Sequence, residues 1–295
     1  MKIYDHKRDF YDGLAAVNIG FKDVLTDKIY DPREGYMRET ISEGKWGFID
    51  SSGIEVIPVM YDKAGNFSEG LALVTLGKEQ FFIDKKGQKA FDFLYDTFLN
   101  FSEGLGVVRK SVKYGYINLK GQEVIPLIFD QAYEFREGVA QVEKNRMRGY
   151  INSSGEFEIT PQFEDASHFV NGMASVRKNG KFGCINKKNE LIVPFIADEL
   201  GLPNAGVIET VQNDKYIYYN RFGRQITPPY NYSSQFYNSN FSIVGNGDGG
   251  KRWWPAHKLK NVKWGLIDNR GVEVIPLNFE NYEDVVAEMR KLEQT

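Results

Sequence analysis

The sequence predicts an all-β fold: a tandem array of seven three-stranded antiparallel meanders, about 34 residues each, followed by a short C-terminal helix. Three observations predict it. The line "KWGFIDSSGIEVIP" at 45–58 returns as "KWGLIDNRGVEVIP" at 263–276. From Asp50, steps of 34 residues land on Asp84, Asn118, Asn152, Asn186 and Asn220, and Asp268 follows after 48, which is 34 plus an insertion of 14. Apolar runs of strand length flank each of these positions, and such self-similarity at a fixed period marks a repeat architecture.

Each element has a local cause. The third residue after each Asp or Asn is Gly53, Gly87, Gly121, Gly155, Asn189, Gly223 or Gly271. Asp-x-x-Gly suits a tight turn in which the side-chain oxygen accepts a backbone N–H and the fourth residue takes the left-handed conformation. Asn189 is the one exception, and asparagine tolerates that region best among non-glycines. Runs such as "WGFI" before the turn and "IEVI" after it are strand formers, strands B and C of each repeat. Pro58, Pro126, Pro194, Pro228 and Pro276 follow in strand C. Proline donates no ladder bond, so the strand is expected to stop there or to lie at an edge. A third run, "EGLALV" in its first full copy, forms strand A, joined to B by short turns such as "RKNGK". A linker of about ten residues leads to the next repeat and carries Tyr61-Asp62, Tyr95-Asp96, Phe129-Asp130 and Phe163-Glu164, then Phe67, Phe101, Phe135 and Phe169. These aromatics read as packing between repeats, because a three-stranded module of this size cannot bury its own faces and must stack on neighbours.

Two repeats are interrupted between strands A and B. The first insertion, about 21–44, reads as an extra hairpin, "VLTDKIYD" then "GYMRET"; the second, about 247–261, lies in the seventh repeat. The tail 281–292 spaces Tyr282, Val285, Val286, Met289 and Leu292 as one helical face, with Asn281 placed to cap it and Arg290-Lys291 in the last turn. It reads as a capping helix over the last repeat; a partner-binding helix is the other reading. The whole chain, 1–295, is thus one β domain. An open superhelix or solenoid fits three strands per repeat. A closed seven-bladed β-propeller fits the count of seven, but blades usually hold four strands.

These residues resemble the WG-repeat, or KWG-repeat, family of bacterial β-repeat proteins. The likeness is carried by "KWGFIDSSGIEVIP", "FSEGLALV" and "KWGLIDNRGVEVIP" and recurs in phase along the chain. Trp-Gly itself survives as Trp46-Gly47 and Trp264-Gly265; it becomes Tyr114-Gly115, Arg148-Gly149 and Phe182-Gly183, and is lost at Gln80-Phe81 and Tyr216-Ile217. The resemblance implies a β-rich repeat scaffold and brings no catalytic residues with it.

Composition narrows the function classes. The net charge of −3 and pI of about 5.8 argue against a general nucleic-acid binder. No apolar run approaches the ~18 residues of a membrane span, and the N-terminus "MKIYDHKRDFYDGLAAV" lacks a leader's apolar core. A cytoplasmic location is therefore expected, in keeping with a single cysteine, Cys184. His6, His168 and His257 fall in different repeats without metal spacing. Cys184 replaces an aromatic of strand B and reads as a buried thiol. The recurring Asp/Asn offers one oxygen per turn, too few for calcium. No enzymatic activity, cofactor or metal is expected.

The expected function is a non-catalytic interaction scaffold for a protein partner, with a carbohydrate or cell-wall ligand as the alternative. Candidate contacts cluster late in the chain. Between 216 and 241 the repeat decays and aromatics gather, among them Tyr230, Tyr232 and Tyr237; "GNGDGGKRWWPAHK" follows, with Lys251, Arg252, Trp253, Trp254 and His257. Adjacent tryptophans beside cations read as a recognition loop with Trp and Arg anchors. A loop folded back over the decayed sixth repeat is the competing reading.

Overall fold

A computed structural model describes residues 2–21, 23–31, 35–42, 44–201, 206–234, 240–248 and 260–294, without the side chains of 23–42, 248 and 260. Two compact parts divide the chain, 1–129 and 130–295. In the first, β1 (His6–Tyr11) and β2 (Leu14–Ile19) precede a separate hairpin, β3 (Asp23–Asp31) with β4 (Gly35–Ser42), and β5 (Lys45–Asp50) and β6 (Glu55–Tyr61) complete a sheet in the order β1-β2-β5-β6. Next come β7 (Lys63–Ala64), β8 (Leu71–Leu76), β9 (Glu79–Asp84) and β10 (Lys89–Asp92), then β11 (Thr97–Ser102), β12 (Leu105–Lys110), β13 (Lys113–Asn118) and β14 (Glu123–Phe129).

The second part repeats the pattern. It holds β15 (Gln131–Ala132), β16 (Ala140–Lys144), β17 (Met147–Ile151) and β18 (Phe157–Phe163), then β19 (Asp165–Ala166), β20 (Met173–Lys178), β21 (Lys181–Asn186) and β22 (Leu191–Ala197). A three-stranded sheet follows, β23 (Glu199–Leu200), β24 (Val207–Gln212) and β25 (Lys215–Asn220). The last sheet is β26 (Tyr232–Ser233), β27 (Phe241–Asp248), β28 (Lys260–Asp268) and β29 (Glu273–Phe279), and helix α1 spans Tyr282–Leu292. Every sheet is antiparallel, and among the described residues none closes on itself. The predicted A-B-C meander is present in six of the seven repeat sheets; the sixth repeat lacks a regular strand C. The linker adds an outer strand to strand A, only two residues long in five sheets.

The B–C turn is built as its residues dictate. Asp50 Oδ1 accepts the N–H groups of Ser52 at 2.9 Å and Ile54 at 3.0 Å, and Gly53 sits at φ 83°. Asn186 Oδ1 does the same for Lys188 and Glu190, with Asn189 at φ 62°. The turn needs one acceptor oxygen, so Asp and Asn are interchangeable there. The turn into strand A has two residues, as in Glu69-Gly70, at φ 49° and 86°, bridged by Ser68 N→Leu71 O at 2.9 Å and Leu71 N→Ser68 O at 3.1 Å. Two consecutive positive φ values define the type I′ hairpin turn. The acid of the aromatic-acidic pair ties down the A–B turn. Asp62 accepts from Gly77 N at 2.7 Å, Asp96 from Ser111 N at 2.6 Å and Asp130 from Asn145 N at 2.7 Å.

The glycine of Trp-Gly has a steric cause. Opposite it, strand C bulges. Trp46 pairs with Tyr61 and Phe48 with Ile57, so one residue of β5 faces three of β6, centred on Val59 beside Pro58. A Cβ on Gly47 would lie 2.7 Å from Ile57 O and Val59 N. Gly115, Gly149, Gly183 and Gly265 meet the same obstruction at 2.5–2.8 Å. Where the glycine is lost, at Phe81 and Ile217, strand C is the short β10 or is not a regular strand. The proline therefore does not end strand C. It lies at an edge bulge, where its missing N–H costs no ladder bond.

Packing between neighbouring repeats supplies the core within each part. Phe67, Phe101, Phe135 and Phe169 are all at most 3% exposed. Phe67 of the second repeat meets Phe48 of the first at 4.8 Å, and Phe169 of the fifth meets Tyr150 of the fourth at 4.7 Å. At the C-terminal end, α1 lays Tyr282, Val285, Val286, Met289 and Leu292 on Ile243, Trp264 and Leu266. Asn281 stands at the helix N-cap, but its amide donates to the Asp284 carboxylate at 3.1 Å instead of accepting a backbone N–H. Among the described residues, no helix is long and apolar enough to cross a membrane.

Candidate functional site

Six of the eight candidate contacts, Tyr237, Lys251, Arg252, Trp253, Trp254 and His257, lie outside the described residues. Of the other two, Tyr230 is buried and Tyr232 is half-buried. Tyr230 is 1% exposed among Val207, Val211, Tyr216, Tyr218 and Val244. Burial pushes its hydroxyl up to about 12, with a smaller push from the Glu273 carboxylate. Tyr232 meets Trp264 edge-on at 4.9 Å and Tyr282 at 5.9 Å, beneath α1. The Tyr230 ring is enclosed, and the half-buried Tyr232 ring is partly engaged in packing.

The sixth repeat departs from its siblings. With no regular strand C among the described residues, β25 is flanked on that side by single bridges, Tyr216 with Tyr230 and Tyr219 with Gln225. A buried polar cluster joins this sheet to the next. The Tyr218 hydroxyl bonds Ser233 Oγ and, at 3.2 Å, Ser242 Oγ, while Ser233 Oγ donates to Glu209 Oε2 at 2.8 Å. Burial raises the Tyr218 hydroxyl well above its ordinary range, so it stays protonated.

A second departure concerns the type I′ turns, which interlock from one repeat to the next. The acid at the first turn position accepts from the glycine N–H of the following repeat's turn: Asp12 from Gly70 at 2.5 Å, Glu69 from Gly104 at 2.9 Å, and Glu137 from Gly172 at 2.9 Å. A cation from the following repeat's B–C turn completes two of these rungs. Lys85 lies 2.8 Å from Asp12, and Lys187 lies 3.2 Å from Glu137. Burial would raise the Glu137 carboxyl, but the N–H groups of Gly172 and Asn171 and the Lys187 ammonium outweigh it and hold the group below the usual range.

The next rung in register has no carboxylate. Gly172 and Lys187 lie 35 and 50 residues after Glu137. The same steps from Asn171 reach Gly206 and Arg221. These three, with Met173, line a cleft of about 330 Å³. The Arg221 guanidinium sits 5.7 Å from the centre of the Phe222 ring, and among the described residues it makes no ion pair. No described group accepts from the Gly206 N–H. The sequence held the signal, since Asn171 stands where Glu69, Glu103 and Glu137 stand in the preceding repeats, but the cross-repeat partners appear only in the fold.

Comparison with known proteins follows the same pattern. The family described as "WG containing repeat" matches residues 46–79, 81–112, 114–146, 149–182, 182–216 and 264–288. No curated protein matches by sequence. Among solved structures, the chain is similar to a eukaryotic initiation factor, with 10% identity and a TM-score of 0.46 over 89% of this chain and 74% of that one. It is also similar to Kluyveromyces lactis Hsv2, with 8% identity and a TM-score of 0.38 over 78% and 93%. The AfRom2 CNH domain gives 10% and 0.30 over 84% and 96%. With the six matched stretches holding more than half of its residues, and the glycine that names the repeat explained by the bulge it faces, the chain belongs to the WG-containing repeat family.

Proposed function

We propose that this chain is a non-catalytic binding scaffold that recognises a protein partner through its inserted loops and its aromatic-rich sixth and seventh repeats. The observation that carries the reading is the irregular sixth repeat, whose sheet has three strands where the other six have four. In place of a strand, β25 is met there by irregular chain bridged only at Tyr216 with Tyr230 and Tyr219 with Gln225, a departure from the regular scaffold of the kind that binding segments favour. The second insertion lies in the next repeat, between β27 and β28, and its adjacent Trp253 and Trp254 have the residue type that dominates binding hot spots. The thiol supports a role without chemistry: Cys184 is 0% exposed, and burial pushes it up to about 12. A sugar platform is less favoured, because Tyr230 and Tyr232 are used in packing.

The test is quantitative affinity capture with the full chain and with the variant Trp253→Ala/Trp254→Ala. Loss of two anchor residues is expected to lower recovery of a specific partner by roughly thirtyfold or more. Equal recovery of every captured protein by both chains refutes the loop as the recognition element.

A further inference from the structure

We propose that the cleft lined by Asn171, Met173, Gly206 and Arg221 is a carboxylate-binding site, in which a ligand fills the rung for which the described residues offer no carboxylate. The argument is one of register. At the sibling position in the same part of the chain, the Glu137 carboxylate takes two N–H bonds, from Asn171 at 2.6 Å and Gly172 at 2.9 Å, and the Lys187 cation. Moved on by one repeat, Gly206 and Arg221 stand at two of the three donor positions, the third, Ala205, lies outside the described residues, and the acid becomes an amide. Gly206 keeps the left-handed turn conformation, at φ 80°, and Arg221 keeps the cation. Asn171 replaces the acid with an amide, which carries N–H donors of its own.

The chemistry selects a carboxylate in particular. The geometry that seats Glu137 is built around two acceptor oxygens: Oε1 takes the Asn171 N–H, Oε2 takes the Gly172 N–H, and Lys187 sits at Oε2. Arg221 in place of lysine strengthens the match, because guanidinium pairs both oxygens of a carboxylate in one plane. Phe222, 83% exposed and in contact with the guanidinium, places an apolar surface at the rim. Free carboxylates and acidic side chains share this chemistry. The site reaches into the sixth repeat but uses none of the residues of the second insertion, so its failure and the failure of the tryptophan test are distinguishable.

The test is an amide NMR titration of the full chain at constant ionic strength, following Gly206 N–H and Arg221 Nε–H. One arm adds acetate; another adds a capped peptide with a single glutamate; chloride is the control. Saturable shifts at both groups with either carboxylate, and none with chloride, are expected. Tighter binding of the peptide assigns a polypeptide source, and equal or tighter binding of acetate assigns a small acid. Arg221→Gln should weaken binding by about tenfold, the loss of one charge-assisted pair. Asn171→Glu should abolish it by filling the rung from within, and should raise the melting temperature. This variant separates ligand binding from misfolding, because it gains an internal bond. Absence of a saturable shift with either carboxylate, or unchanged binding by Asn171→Glu, overturns the proposal.

Discussion

Replacing Gly149 with alanine tests whether the glycine of the repeat is held by strand C. A Cβ there would lie 2.5 Å from Ile159 O, about 0.9 Å inside the 3.4 Å at which ordinary contact begins, with Pro161 N at 2.7 Å and Thr160 C at 2.8 Å. All three atoms are backbone, so no side chain can swing aside and β18 itself must move. That strand carries Ile159 and Phe163, each 2% exposed, into the core with Tyr150. Overpacking of this kind costs about 1–3 kcal/mol. Detachment of the strand would add the burial of two large side chains, about 2 kcal/mol each. We expect a loss of about 2–3 kcal/mol, or a fall of about 5–10 °C in melting temperature for a cooperative unit of this size. Gly201→Ala is the matched control, because among the described residues its added Cβ would meet nothing nearer than 3.9 Å. Circular dichroism melts of the two variants decide the matter. If Gly149→Ala melts within about 1 °C of Gly201→Ala, steric exclusion by strand C is not what keeps the glycine.

Two further outcomes are expected. The Asp12, Glu137 and Asp198 carboxyls are all held below their ordinary range, so the stability they contribute is fully present above the unfolded value of about 4 and is lost as pH falls through the folded value. Melting temperature should drop between about pH 5 and 3, and Glu137→Gln should flatten that drop; an unchanged slope would show that this carboxylate does not tie the two turns. Cys184 should resist a thiol reagent in the native protein and react fully in denaturant, because burial among Met173, Val193 and Ile208 keeps it protonated. Rapid native labelling would contradict that burial.

Much of this fold was legible in the residues because the turns are chemically explicit. An acceptor oxygen followed by a residue that tolerates positive φ specifies the B–C corner, and its recurrence at 34 residues announces the array. The aromatics at fixed spacing could be assigned to packing between repeats for the same reason: a small sheet leaves a face uncovered. Other features depended on partners distant in sequence. The outer strand beside strand A is two residues long in most sheets, too short for a hydrophobic period to register. The bulge opposite Gly149 appears only when strands B and C are laid side by side, which is why the residues alone left open whether proline ended strand C or lay at an edge. Composition cannot tell a ring packed under a helix from one facing water, so the packing of Tyr230 and Tyr232 emerges only in the fold. The carboxylate of Glu137 and its absence at Asn171 acquire meaning across 35 and 50 residues. Local chain geometry thus determined the modules, while stacking decided which polar groups were satisfied by a neighbour and which were left for a ligand.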